Sequence, residues 1–136
     1  MLNHPVFIAI VSILAVLLIG FLGYLAYRKS RTDYTWLQFG FWCLAKFFTK
    51  FMWRTKYINE MPDWVHDGCI FVCNHHSGVD PFFIQVQVRR PIRWMVAKEY
   101  CQHKLFGWFL HHCHVIPVNR GGIDTSSTKA AIRCAE

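Results

Sequence analysis

Cys69-Ile70-Phe71-Val72-Cys73-Asn74-His75-His76-Ser77-Gly78-Val79-Asp80-Pro81 sets an apolar run against a polar break and an Asp-Pro step. That order predicts a strand over residues 69–73, a loop, and then a helix N-terminus. In α/β folds ligands and catalytic groups collect at the carboxyl ends of strands, where such a loop sits. His75 precedes Asp80 by five residues. An imidazole beside a carboxylate is the equipment of general-base catalysis: the ring takes a proton, and the carboxylate fixes its tautomer and stabilises the imidazolium. Asp80-Pro81 is also a good helix start by itself, since aspartate accepts orphan amide donors and proline suits the first turn.

Working outward, residues 93–97 and 114–118 read as two further strands and residues 99–110 as a helix between them. Residues 81–88 read as a helix, although Ile84, Val86 and Val88 also alternate as a strand would. Asp124 or Ser126 is expected to cap a terminal helix that runs to the chain end. Strand–helix–strand–helix order implies an α/β fold with parallel pairing and right-handed crossovers. Three strands make a thin sheet with an exposed edge.

Towards the amino terminus, residues 6–27 contain no charged side chain. As a helix they would span about 33 Å, enough for a hydrocarbon core of roughly 30 Å. A cleaved signal peptide would carry a basic n-region, and residues 1–5 hold no Lys or Arg, so an uncleaved anchor is expected. Arg28, Lys29 and Arg31 follow the span, which predicts a single-pass membrane protein with its later part in the cytoplasm. Hydrophobic content of 54% and a net charge of +7 suit a partner with an apolar interior and an anionic surface, the lipid bilayer. Nucleic acid is the other common partner of a basic chain, but no recognition motif supports it.

Residues 36–54 are apolar and aromatic, with Lys46, Lys50 and Arg54 spaced by four along one helical face. This predicts an amphipathic helix in the bilayer surface; a second membrane span and a helix packed in a core are the alternatives. The six cysteines are read as small apolar side chains in a reducing compartment. The run His111-His112-Cys113-His114, with Cys101 and His103 nearby, raises a zinc site, His112 and His114 facing one way along a strand. It lacks paired CxxC or HxxxH spacing, so no metal is expected.

Asn74-His75-His76-Ser77-Gly78-Val79-Asp80 resembles the NHxSxxD signature of the glycerolipid acyltransferases, the superfamily that contains the 1-acylglycerol-3-phosphate acyltransferases. Val115-Ile116-Pro117-Val118-Asn119-Arg120 is similar to that family's second block. Trp94-Met95-Val96-Ala97-Lys98-Glu99 and Leu105-Phe106-Gly107-Trp108 match the pattern between the two. The likeness runs from about Asp67 to Ala131. His114 stands where a glycine is common, Asn119 where an acidic residue often precedes the arginine, and the sequence stops before a third block, Pro-Glu-Gly-Thr.

With the resemblance added, the organisation expected is a transmembrane anchor over residues 1–30 and an interfacial helix and linker over 31–62, both from composition and charge, followed by what the resemblance implies, the amino-terminal part of a parallel or mixed α/β acyltransferase domain over 63–136, incomplete at its carboxyl end. It implies His75 and Asp80 as the catalytic pair, and Asn74, Ser77, Lys98 and Arg120 as substrate-binding residues. The reaction implied is transfer of a fatty acyl group from acyl-CoA or acyl-carrier protein to a phosphorylated glycerolipid acceptor in phospholipid biosynthesis, with no cofactor beyond that thioester co-substrate. The alternative is a truncated, noncatalytic membrane-anchored homologue, or a partner-binding or metal-binding module.

Overall fold

Apolar residues that no interior covers dominate the first element of the computed structural model, which describes residues 4–59, 61 and 68–135. Helix α1 (His4–Ser30) has no buried residue, and its best 18-residue window has a mean hydropathy of 3.0. It is long and apolar enough to cross a membrane. Arg28 and Lys29 close its last turn, where cations complement the helix dipole, and the Arg28 guanidinium donates to the Tyr24 hydroxyl at 3.1 Å. Met1–Asp33 forms one compact unit and Tyr34–Glu136 a second. The expected boundary between residues 62 and 63 lies outside the described residues, as do the first three residues of the amino-terminal stretch and Glu136.

The second unit combines short helices with a small parallel sheet. Helix α2 (Trp36–Phe51) starts at a capping box: the Thr35 hydroxyl accepts from Gln38 N at 3.3 Å, and Gln38 Oε1 accepts from Thr35 N at 3.0 Å. Gln38 also donates from Nε2 to the His112 carbonyl at 2.8 Å. Gln38, Phe39, Trp42 and Thr49 are buried, whereas Leu37, Leu44, Phe47, Phe48 and Phe51 are exposed. The helix is thus packed on one side and open and apolar on the other. The expected line of three cations is cut, because α2 ends at Phe51 and Arg54 takes a left-handed φ of 49°.

Helix α3 (Asp80–Gln85) covers the first part of the helix expected over 81–88. Its last residue is a hub. Gln85 Nε2 donates to the Tyr34 hydroxyl at 2.7 Å and to the Arg90 carbonyl at 2.9 Å, while Oε1 accepts from Ile92 N and from Trp94 Nε1, both at 3.1 Å. Tyr34 in turn donates to the Val88 carbonyl at 2.7 Å. One amide therefore joins the start of α2, the end of α3 and the lead into the sheet. Gln85→Leu keeps the volume but strips partners from these groups, at about 1–3 kcal/mol for each one left unsatisfied. The expected outcome is a clear drop in the unfolding midpoint, and an unchanged midpoint would mean that water replaces the amide at no cost.

The sheet holds strands β1 (Met95–Ala97) and β2 (Ile116–Val118), paired in parallel with Ala97 opposite Val118. Parallel pairing is as expected. The third strand is not found: residues 69–73 make no ladder with β1 or β2, and Ile70 and Val72 are 75% and 91% exposed. An apolar run containing Ile70, Phe71 and Val72 favours extended backbone, but only a paired neighbour turns it into a strand. Gly68 anchors the start of this segment, since a Cβ there would collide with the Ala135 carbonyl at the end of α6 (Thr125–Ala135).

The single helix expected over 99–110 is two, α4 (Lys98–Cys101) and α5 (Lys104–His112). His103 breaks the run and caps α5, its Nδ1 accepting from Phe106 N at 3.3 Å. Gly107 permits the close crossing, because any side chain there would strike the Cys101 carbonyl. His112 ends α5 and His114 sits in a turn, so the two histidines do not share a strand face.

Candidate active site

The segment ahead of α3 turns back on itself through a bond from Asp80 N to the Ser77 carbonyl, 3.0 Å. That turn aims the Asp80 carboxylate upstream rather than along its own helix. Oδ2 accepts from His76 N at 2.7 Å and Ser77 N at 2.8 Å, and lies 3.1 Å from His75 Nδ1. Val79, the residue before α3, supplies no side-chain cap. The carboxylate thus organises the loop that carries the histidine, a different role from the simple helix cap that Asp-Pro also permits.

The amides of Ser77 and His76 hold the Asp80 carboxyl below the usual carboxylate range, with the His75 contact adding to the effect. An ionised carboxylate only accepts hydrogen bonds, so a neutral His75 ring must carry its hydrogen on Nδ1. Its Nε2 lone pair then points away from Asp80. The His75 side chain is 65% exposed and Asp80 25%, so the ring is reachable while the carboxylate is partly covered.

Of the other expected site residues, Ser77 joins this cluster through its backbone amide. Asn74 is exposed on the incoming segment, and its side chain makes no hydrogen bond among the described residues. Lys98 directly follows β1 and Arg120 lies two residues beyond β2, so the parallel register puts both past the same end of the strands. Lys98 lines an open depression of about 390 Å³ with Asn119, Asp124 and Ser126. Three parallel strands would have brought His75 and Arg120 to one sheet edge; that alignment does not follow, because residues 69–73 stay outside the ladder.

Asp124 braces the loop that bears Arg120. Its Oδ2 accepts from Asn119 N at 2.8 Å, and its Oδ1 accepts from Ser126 N, Ser127 N and Ser126 Oγ at 3.1, 3.0 and 2.7 Å. These donors, led by the Asn119 amide, hold its carboxyl far below the usual range. The sequence offered Asp124 as a cap, which it is. The bond back to Asn119 is the part that spacing did not reveal.

Among the described residues no three His, Cys, Asp or Glu side chains gather as metal ligands. His112 Nδ1 is engaged with the Trp108 carbonyl at 2.8 Å and His103 with its own helix. Burial pushes the Cys113 thiol up to about 11 and raises that of Cys101, with Glu99 adding to the latter.

A family model described as Acyltransferase matches residues 54–135, well over half of the chain. The chain belongs to this family, and its membership supports an acyltransferase activity. No curated protein and no solved structure matches it.

Proposed function

We propose that this protein is a membrane-bound O-acyltransferase of phospholipid biosynthesis, moving a fatty acyl group from acyl-CoA or acyl-carrier protein to the hydroxyl of a lysophospholipid or glycerol phosphate. The observation that carries the reading is the His75–Asp80 pair, held by the loop amides with Nε2 directed outward. His75 Nε2 takes the hydroxyl proton as the oxygen attacks the thioester carbonyl carbon. The C–S bond then breaks, an ester C–O bond has formed, and the departing thiolate recovers the proton from the imidazolium. Asp80 orients the ring and balances its transient charge. The thioester is already activated, so this reaction needs no covalent acyl-enzyme, metal or further cofactor. Transfer of labelled acyl groups from a thioester to a lysophospholipid, in membranes containing the wild type or a His75 variant, tests the reading.

Ser77 shapes the loop through its backbone amide, exposed Asn74 meets the substrate beside the reacting hydroxyl, and Lys98 and Arg120 recognise the acceptor's phosphate, the guanidinium as a planar two-point donor. Losing such a charge-assisted contact costs on the order of 1.5–3 kcal/mol. Arg120→Ala should therefore raise the acceptor's apparent KM about tenfold or more and leave the donor's nearly unchanged. Lysine at this position should restore it only in part, because it keeps the charge and loses the fork. A selective effect on the donor would reassign Arg120 to the thioester carrier's site.

In this reading residues 1–30 anchor the chain, 31–62 hold the interfacial helix and linker, and 63–136 belong to the acyltransferase domain. Arg28, Lys29 and Arg31 keep the site cytoplasmic. A reporter fused after Arg54 should be active in the cytoplasm; activity only outside it would reverse the orientation.

A further inference from the structure

We propose that α5 enters the lipid leaflet together with α2, the two helices forming one continuous apolar surface against an anionic bilayer. The inference deepens the membrane reading above and rests on it. The open side of α2 carries Leu37, Leu44, Phe47, Phe48 and Phe51, all exposed. At helical spacing these positions, with Phe41, fall on one face, opposite buried Gln38, Trp42 and Thr49.

Phe41 joins that face to α5. Its ring meets Phe109 edge-on at 4.8 Å and Trp108 at 6.0 Å. Next to them Leu105, 76% exposed, and Trp108, 49% exposed, lie on one side of α5, while Leu110 is turned into the core. Exposed apolar surface of this extent marks an interaction site.

Charge and connectivity select the lipid as occupant. The 16 residues of α2 and the nine of α5 contain no Asp or Glu, but they include Lys50 and Lys104, while Lys46 lies over the ring of buried Trp42, 4.7 Å from its centroid. Lysines whose stems run along apolar surface and whose ammonium groups reach phosphate are the usual edge of a membrane-seated helix. Five residues, 31–35, separate α2 from α1, the helix able to span a bilayer. The indole of Trp108, apolar in body and polar at Nε1, suits the headgroup boundary. A second α5 contact would fix the rotation of α2 about its axis, and with it the depth at which the following domain meets lipid hydroxyls.

Tryptophan fluorescence tests this without needing enzyme activity. Wild type and Trp108→Phe, which keeps a ring against Phe41, are reconstituted as full chains in vesicles of phosphatidylcholine and phosphatidylglycerol, and the difference between them isolates the Trp108 emission. Bromine on the upper acyl carbons should quench that emission strongly, since interfacial helices sit about 5–10 Å into the headgroup–acyl boundary. Aqueous iodide should leave it nearly untouched. Quenching by iodide instead would put Trp108 in water, and protection from both would put it against protein, such as a second copy of the chain; either result overturns the proposal. Protein that fails to bind vesicles at all overturns the membrane reading as well. Loss of the acyltransferase reading alone leaves the quenching unchanged.

Discussion

His75→Ala is expected to abolish acyl transfer while the protein accumulates in membranes at its normal level. The ring is largely exposed, and its contact with Asp80 is the one side-chain hydrogen bond it makes among the described residues. Removing it leaves the loop intact, because the bonds from the His76 and Ser77 amides to Asp80 are independent of the imidazole. The neighbouring His76 gives Asp80 only its backbone amide, so its ring lacks the carboxylate contact that orients His75. A positioned general base contributes about 10²–10⁴-fold in rate, so the variant should fall to the background of membranes lacking the protein. Turnover within a few-fold of wild type, at matched abundance, would remove histidine catalysis from consideration.

Asp80→Asn should be nearly as damaging, by a different route. Asparagine keeps an oxygen for the His76 and Ser77 amides and for the Nδ1 hydrogen, but it lacks the negative charge that stabilises the imidazolium formed as His75 takes the proton. In an established Ser-His-Asp triad the same Asp→Asn substitution costs about 10⁴-fold in kcat. A loss on the order of 10³-fold or more in kcat is expected here, with the KM of both substrates changed little. A rise in KM with kcat preserved would instead make Asp80 a binding residue. The pH dependence carries a matching sign. Because the loop amides lower the Asp80 pKa, its contribution is present above the ordinary carboxylate range and is lost only as pH falls through the lowered value. The acid limb of the wild-type rate profile should therefore stay in place in variants that weaken the loop amides, and a shift would tie that limb to Asp80.

Much of this was legible along the chain. Uncharged residues 6–27 imply a helix whatever surrounds them, and α1 covers them. Apolar runs separated by a helical stretch imply parallel strands, and β1 and β2 pair in that way. His114 is an instructive detail. Glycine is common at that point in resembling sequences, and the residue has a left-handed φ of 52°, a conformation that costs other side chains strain.

What local pattern could not supply was pairing and direction. Residues 69–73 have strand composition, yet a strand exists only by hydrogen bonds to another segment, and those are absent from the ladder. Residues 99–110 have helical spacing, but the collision of any Cβ at Gly107 with the Cys101 carbonyl belongs to the fold of two short helices. In the sequence Gln85 is one polar residue among Phe83, Ile84 and Val86, and only the convergence of Tyr34, Ile92 and Trp94 makes it a hub.

The sequence by itself determined the apolar span, the order of strand and helix segments and the five-residue spacing of His75 and Asp80, because each depends on neighbours within a few turns or on composition. Only the tertiary structure decided that Asp80 reaches back to the loop amides, that α2 is covered on one side, and that Phe41 links it to α5. Those features depend on backbone direction and on contacts between residues far apart in the chain, which no local periodicity encodes.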